Sequence, residues 1–249
     1  LSEQTLIHTE WFHADCLADY YHMPVVSEKQ WEIMEAQSAL AGKELGINML
    51  LTPIFTPPLD TAVGGERTTV QLIDILQDAD GSYKFDWSRL KRWCDLCLRN
   101  GIKYLEIPHL FTQWGAKAAP KIVVTVDGKN VKKFGWQTPA LDSSYQSFLK
   151  QFLPELQSKL IEFGYYRDHV LFHISDEPGM DCMESYKGAR ESVKESLKGW
   201  QVVDALSEYS FYEKGIVQHP IVSSNHISVF LKNKVPQPWV YYCCGQSVT

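Results

Sequence analysis

Short runs of β-branched and aromatic residues recur along the chain, separated by longer segments whose apolar positions return every three or four residues. This alternation is how a parallel sheet with crossover helices is written. The runs at 6–12, 49–55, 104–110, 170–175, 201–206, 221–224 and 239–243 predict seven strands. The helical intervals have readable ends: Ser27 is placed to cap a helix reaching Leu45 ahead of Gly46, and Asp86 one that stops at Asn100 and Gly101. Further helices are expected at 144–163, kinked at Pro154, and at 181–197 before Gly199, with shorter ones at 208–214 and 227–234.

Seven strand–helix units in a row fit a (β/α)₈ (TIM) barrel of the α/β class, truncated before its eighth strand, better than an open doubly wound sheet. No glycine-rich phosphate loop follows the first strand. A single domain over residues 1–249 is expected. Two loops that leave strands are long, at 56–85 and 111–142, and each holds a hairpin signal, DADGS in one and VDGKN in the other. Both emerge at the C-terminal ends of their strands, where barrel active sites are built, so they are expected to wall a pocket.

Composition then removes several function classes. Hydrophobic residues make up 45% of the chain and aromatic residues 12%, enough for one large core. Twenty-four Lys and Arg stand against 30 Asp and Glu, for a net charge of -6, with no basic block. Nucleic acid is therefore not an expected partner. No stretch approaches the roughly 18 apolar residues of a spanning helix. The opening LSEQTLIHTE lacks the basic-then-apolar plan of a signal peptide, although a chain starting at Leu1 is compatible with a removed one. Six cysteines, at 16, 94, 97, 182, 243 and 244, form neither zinc knuckles nor a disulfide scaffold. Buried free thiols in a reducing, cytoplasmic setting are the reading they favour.

The strongest local signal is VLFHISDEPG, an apolar run leading directly into two adjacent carboxylates, Asp176 and Glu177. By spacing alone the pair reads either as catalytic or as the acidic start of a helix. What distinguishes it is position, because a buried strand delivers both acids to the catalytic rim. Side chains alternate along a strand, so Leu171, His173, Ser175 and Glu177 should face the barrel axis while Val170, Phe172 and Ile174 face the helices. Asp176 must then be swung inward by the bend at the strand end. Pro178 should hold Glu177 extended, and two carboxylates this close should push one pKa upward.

The segments HTEWFHADCLADYY, LLTPIFTPPLDTAVGGERTTVQLI, EIPHLFTQWGAKAAPKI, FHISDEP, VDALSEYSFY and YYCCGQ resemble the catalytic domain of glycoside hydrolase family 123, from about residue 5 to 246. The resemblance implies a retaining β-N-acetylgalactosaminidase-like enzyme that needs no cofactor and acts on a glycan or glycoconjugate. It further implies an adjacent Asp-Glu pair, mapped onto Asp176 and Glu177, working by substrate-assisted catalysis through the 2-acetamido group.

Other residues near strand ends are candidates for sugar contact: Trp11, His13, His109, Trp114, Asp204, Asn225, Tyr241 and Tyr242. Aromatic faces stack on pyranose rings, and Asn, Asp and His bond hydroxyls. Rim packing is the equally ordinary use of each. Glu106 could serve with Glu177 as a conventional carboxylate pair, or be an interior polar residue, and His173 reads as a satisfied core histidine. A non-catalytic sugar-binding barrel is the alternative from another class. In HTEWFHAD, His8 and Glu10 share a strand face while His13 does not, so no metal site is expected there.

Overall fold

The computed structural model describes residues 5–59 and 61–242. Strand β1 (Thr9–Glu10) leads into helices α1 (Ala14–Tyr20) and α2 (Glu28–Ala39), the latter continued by a π-type turn (Leu40–Glu44) before β2 (Met49–Leu51). A first excursion carries β3 (Asp74–Gln77) and β4 (Tyr83–Asp86) ahead of α3 (Ser88–Arg99) and β5 (Tyr104–Ile107). A second carries β6 (Ile122–Val126) and β7 (Lys129–Phe134) ahead of α4 (Ser143–Glu162) and β8 (Val170–Phe172). The remainder is α5 (Met183–Val193), β9 (Gln201–Val202), β10 (Asp204–Ala205), α6 (Tyr209–Glu213), β11 (Pro220–Ser223), α7 (Ile227–Lys232) and β12 (Trp239–Tyr241).

Two all-parallel sheets hold the predicted strands in chain order, β1-β2-β5-β8-β9 and β10-β11-β12. The predicted fifth strand is thus divided at Val203, its first half pairing back to β8 and its second half forward to β11. Residue 243, at the end of the predicted seventh strand, lies outside the described residues, as do Cys243 and Cys244. Among the described residues β12 does not pair with β1, and a groove of about 960 Å³ separates residues 5–10 from 237–242. The fold is mixed α/β with parallel sheets, and a closed ring is not seen.

The two faces of these strands bury different cores. Leu105, Ile107, Val170, Phe172 and Ile174 point outward into the large cluster shared with helix residues such as Trp93, Phe152 and Tyr186. On the inner face Met49, Leu171, Val203 and Ile221 pack together with Ile7, Tyr104, Trp239 and Tyr241. All seven predicted strand segments contribute to that inner cluster. The alternation read from the sequence for 170–174 holds.

Local departures have local causes. Ser27 caps α2 through Gln30 N at 3.3 Å, as expected, but the helix ends in a π turn. There Gly42 lies so close to α3 that an added Cβ would meet Asn100 O at 2.0 Å, so only glycine fits. Asp86 Oδ1 accepts from Ser88 N at 2.9 Å, although α3 begins two residues later than Asp86 itself. The helix expected over 181–197 starts as a 3-10 turn and ends at Val193, because the chain tightens into i→i−3 bonds from Lys194 N to Glu191 O and from Lys198 N to Glu195 O, each 3.3 Å. Each signalled hairpin forms, and β3 pairs in parallel with β6 to join them into one four-stranded sheet, β4-β3-β6-β7.

Candidate active site

The chain beyond β8 is held on both sides. Toward β5, Leu110 N and Phe111 N donate to His173 O and Ile174 O at 3.0 Å each, and Trp114 N donates to Asp176 O at 2.9 Å. Ser175 Oγ donates to Thr112 O at 2.8 Å and accepts from Ala116 N at 3.2 Å. Toward β10, Asp204 Oδ1 accepts from Ile174 N at 2.9 Å and Ser175 N at 3.3 Å. The Trp114–Ala116 turn is pressed so hard onto the start of α5 that a Cβ on Gly115, at φ 120°, would lie 2.4 Å from Cys182 Cβ.

Within this framework Glu177 adopts φ 39°, in the left-handed region, rather than the extended conformation expected from Pro178. Such a residue costs about 1–3 kcal/mol and persists only where surrounding bonds fix it, a situation that concentrates at functional turns. This bend follows directly on Asp176 and brings Glu177 to the wall of a cleft. Asp176 is half-buried and Glu177 is exposed.

Glu177 opens into a cleft of about 620 Å³ whose walls include Gln113, Trp114, Lys117, Trp136 and Asp181. Both long loops contribute to it, Val63 from the first and Trp136 from the second. Although Glu177 is exposed, partial desolvation against the cleft walls raises its pKa above the ordinary carboxylate value, with the charge of His226 opposing. The expected elevation is therefore present, but desolvation produces it rather than repulsion by Asp176.

The strand that leads to the pair also carries His173, the centre of a polar network buried at His173, Glu106 and Asp204. His173 Nε2 is 2.7 Å from Glu106 Oε1, and its Nδ1 is 3.3 Å from Asp204 Oδ1. Thr9 Oγ1 and Trp11 Nε1 also donate to Glu106, the latter at 3.2 Å, and the Tyr186 hydroxyl donates to Asp204 Oδ2. Burial alone would lower the His173 pKa, but its two carboxylate partners outweigh it and hold the value up to about 10. Both His173 ring nitrogens thus face a carboxyl group, and burial pushes that of Asp204 above the ordinary carboxylate value. The His109 ring lies against it, tilted by 36° with centroids 4.5 Å apart and neither ring nitrogen hydrogen-bonded, and burial followed by the His173 charge drives its pKa well below the usual value. His109, His173 and Asp204 bring one potential ligand atom each within 4.8 Å of one another, yet both His173 nitrogens are already engaged by carboxylates.

The sequence candidates therefore separate. Trp114, 48% exposed, stands on the pocket rim beside Glu177. Trp11, His109 and Asp204 belong to the interior network rather than to the pocket walls, as do Glu106 and His173. His13 precedes α1 with its side chain partly buried, and Asn225 is exposed before α7. Tyr241 packs against the inner cluster, while Tyr242, 81% exposed, lies on the groove beside β1. The sequence reading passed over His226, one residue from Asn225, and Trp136, whose indole nitrogen donates to Gly65 O at 3.1 Å. A polar residue just after a strand was the available signal for the first; the second sits after a hairpin, where nothing in the pattern distinguishes it.

The family model for glycoside hydrolase 123, catalytic domain, matches residues 11–249, and the chain belongs to that family. Among solved structures, a family 123 glycoside hydrolase from Clostridium perfringens, described in a study of glycolipid glycan hydrolysis, is similar with a TM-score of 0.67 and 16% identity. The similarity covers 98% of this chain and 44% of that one, so the chain spans less than half the length of that relative. At this identity the likeness speaks for the fold alone. No curated protein sequence matches. No helix among the described residues is long and apolar enough to cross a membrane.

Proposed function

We propose that this domain is a retaining β-N-acetylhexosaminidase with galacto preference, acting by substrate-assisted catalysis on a glycan or glycoconjugate. The observation that carries the reading is Glu177 on the wall of the cleft, directly after Asp176, in a chain of family 123. The two parallel sheets are taken as seven strands of a (β/α)₈ barrel, the groove between β12 and β1 standing at the place of the eighth.

In the first step the substrate's acetamido oxygen attacks the anomeric carbon as the bond to the aglycone breaks, and Glu177 gives its proton to the departing oxygen. Asp176 orients the acetamido group and balances the positive charge of the oxazolinium-like intermediate. In the second step Glu177 takes a proton from water, which opens the intermediate from the other face, so the anomeric configuration is retained. A raised Glu177 pKa suits the donor role. A conventional pairing with Glu106 is disfavoured because that residue is fully buried and bonded to His173, Trp11 and Thr9.

Nitrophenyl β-N-acetylgalactosaminide should be hydrolysed at least about 10²-fold faster than the plain β-galactoside, since only the first carries its own nucleophile. Equal rates on the two would rule out substrate assistance. Binding of N-acetylgalactosamine by calorimetry with no product from either substrate would make the domain a sugar-binding barrel instead.

A further inference from the structure

Asp204 occupies the point at which the two sheets part. β8 pairs with β9 at Leu171↔Gln201 and Phe172↔Val202, and Val203 N still donates to Phe172 O at 2.9 Å. One residue later the backbone has turned away, and Asp204 pairs with Pro220 of β11. The amides of Ile174 and Ser175, on the strand that carries the acid pair, are then beyond the reach of the ladder. The Asp204 carboxylate takes both, at 2.9 and 3.3 Å, from a residue with no exposed surface. A side chain thus replaces the strand partner over the two residues that immediately precede Asp176.

We propose that Asp204 is a positioning residue for the reaction: its Oδ1, bonded to the Ile174 and Ser175 amides, fixes the turn that carries Asp176 and sets Glu177 on the cleft, without itself touching substrate. The proposal rests on the assignment of that pair as catalytic. Its physical content is the location of an acceptor atom, not the presence of a charge. The same carboxylate also accepts from Tyr186 through Oδ2 and faces His173 through Oδ1, so loss of charge alone disturbs those contacts while leaving an acceptor on the amides. An error of about 1 Å in a reacting group can cost about 10²-fold in rate, so a small shift of this anchor is measurable.

The test sets acceptor position against charge. Asp204→Asn keeps an oxygen at the same reach and loses the charge; Asp204→Glu keeps the charge and moves the oxygen by one methylene. Both are assayed for kcat and KM on nitrophenyl β-N-acetylgalactosaminide, per folded molecule, beside Leu160→Ala, a core truncation in α4, as a control for stability. Positioning requires kcat of Asp204→Asn within about 10-fold of the parent, and kcat of Asp204→Glu lower by about 10²-fold, with KM changed less than about threefold in each. Asp204→Glu as active as the parent, Asp204→Asn as impaired as Asp204→Glu, or losses that merely track the folded fraction as in Leu160→Ala would each overturn it. Asp176→Asn and Glu177→Gln run alongside separate the two readings: full activity in both would remove the acid pair, whatever Asp204 does.

Discussion

Glu177→Gln is expected to spare a nitrophenyl glycoside far more than a glycoside with an alkyl or sugar leaving group, whereas Asp176→Asn depresses both alike. The argument follows the proton. Nitrophenolate departs readily without protonation, so losing the acid matters little to that bond cleavage, while a sugar alkoxide needs the proton and should lose about 10²-fold or more. Asp176 acts on the acetamido group, and closure of the oxazolinium-like ring is impaired whichever group departs. Because burial raises the Glu177 pKa, the acid stays protonated to higher pH and sets the alkaline limb of kcat/KM for sugar leaving groups. Steady-state rates across leaving groups of graded pKa provide the check, and identical dependence in the two variants would cancel the division of roles.

The largest stability effect is expected at His173. Its folded pKa, about 10, lies above the unfolded value near 6.5, so its contribution is complete below about pH 6.5 and is lost as pH rises toward 10. His109 works in the other direction: buried and neutral, it binds no proton that the unfolded chain would bind below about pH 6.5, and stability falls on the acid side. His173→Gln leaves Glu106 and Asp204 facing one another without a cation and should cost about 3–5 kcal/mol near neutrality, the range for breaking a buried charge pair. It should also flatten the alkaline decline, and His109→Phe the acid one. Urea unfolding across a pH series measures both; an unchanged alkaline slope in His173→Gln would mean that the imidazolium is not the source.

Strand order and interior parity were legible in the sequence because both rest on hydrophobic alternation, which the chain carries strongly at 104–107 and 170–175. The division at Val203 was not, since Gln201 to Leu206 reads as one unbroken strand and only pairing with neighbours on either side separates it. The same blindness misplaced Asp204. A polar residue late in a strand looks like a ligand to substrate until the amides of a neighbouring strand are seen on its carboxylate. The acid pair stood out because it follows directly on an apolar run, but the left-handed turn at Glu177 depends on Trp114 and Ser175, which come from separate strand ends. Local rules such as the pre-proline preference gave way there to tertiary hydrogen bonds.

Substrate assistance through Asp176 is the central claim, and binding of a thiazoline made from N-acetylgalactosamine tests it without any need for turnover. This compound has the fused-ring shape of the oxazolinium-like intermediate but is not opened by water. Calorimetry should find it bound at least about 10²-fold more tightly than N-acetylgalactosamine, as a mimic of the reacting state should be. The advantage should largely vanish in Asp176→Asn and persist in Glu177→Gln. A thiazoline held no more tightly than the parent sugar, or held equally well by Asp176→Asn, would contradict the account.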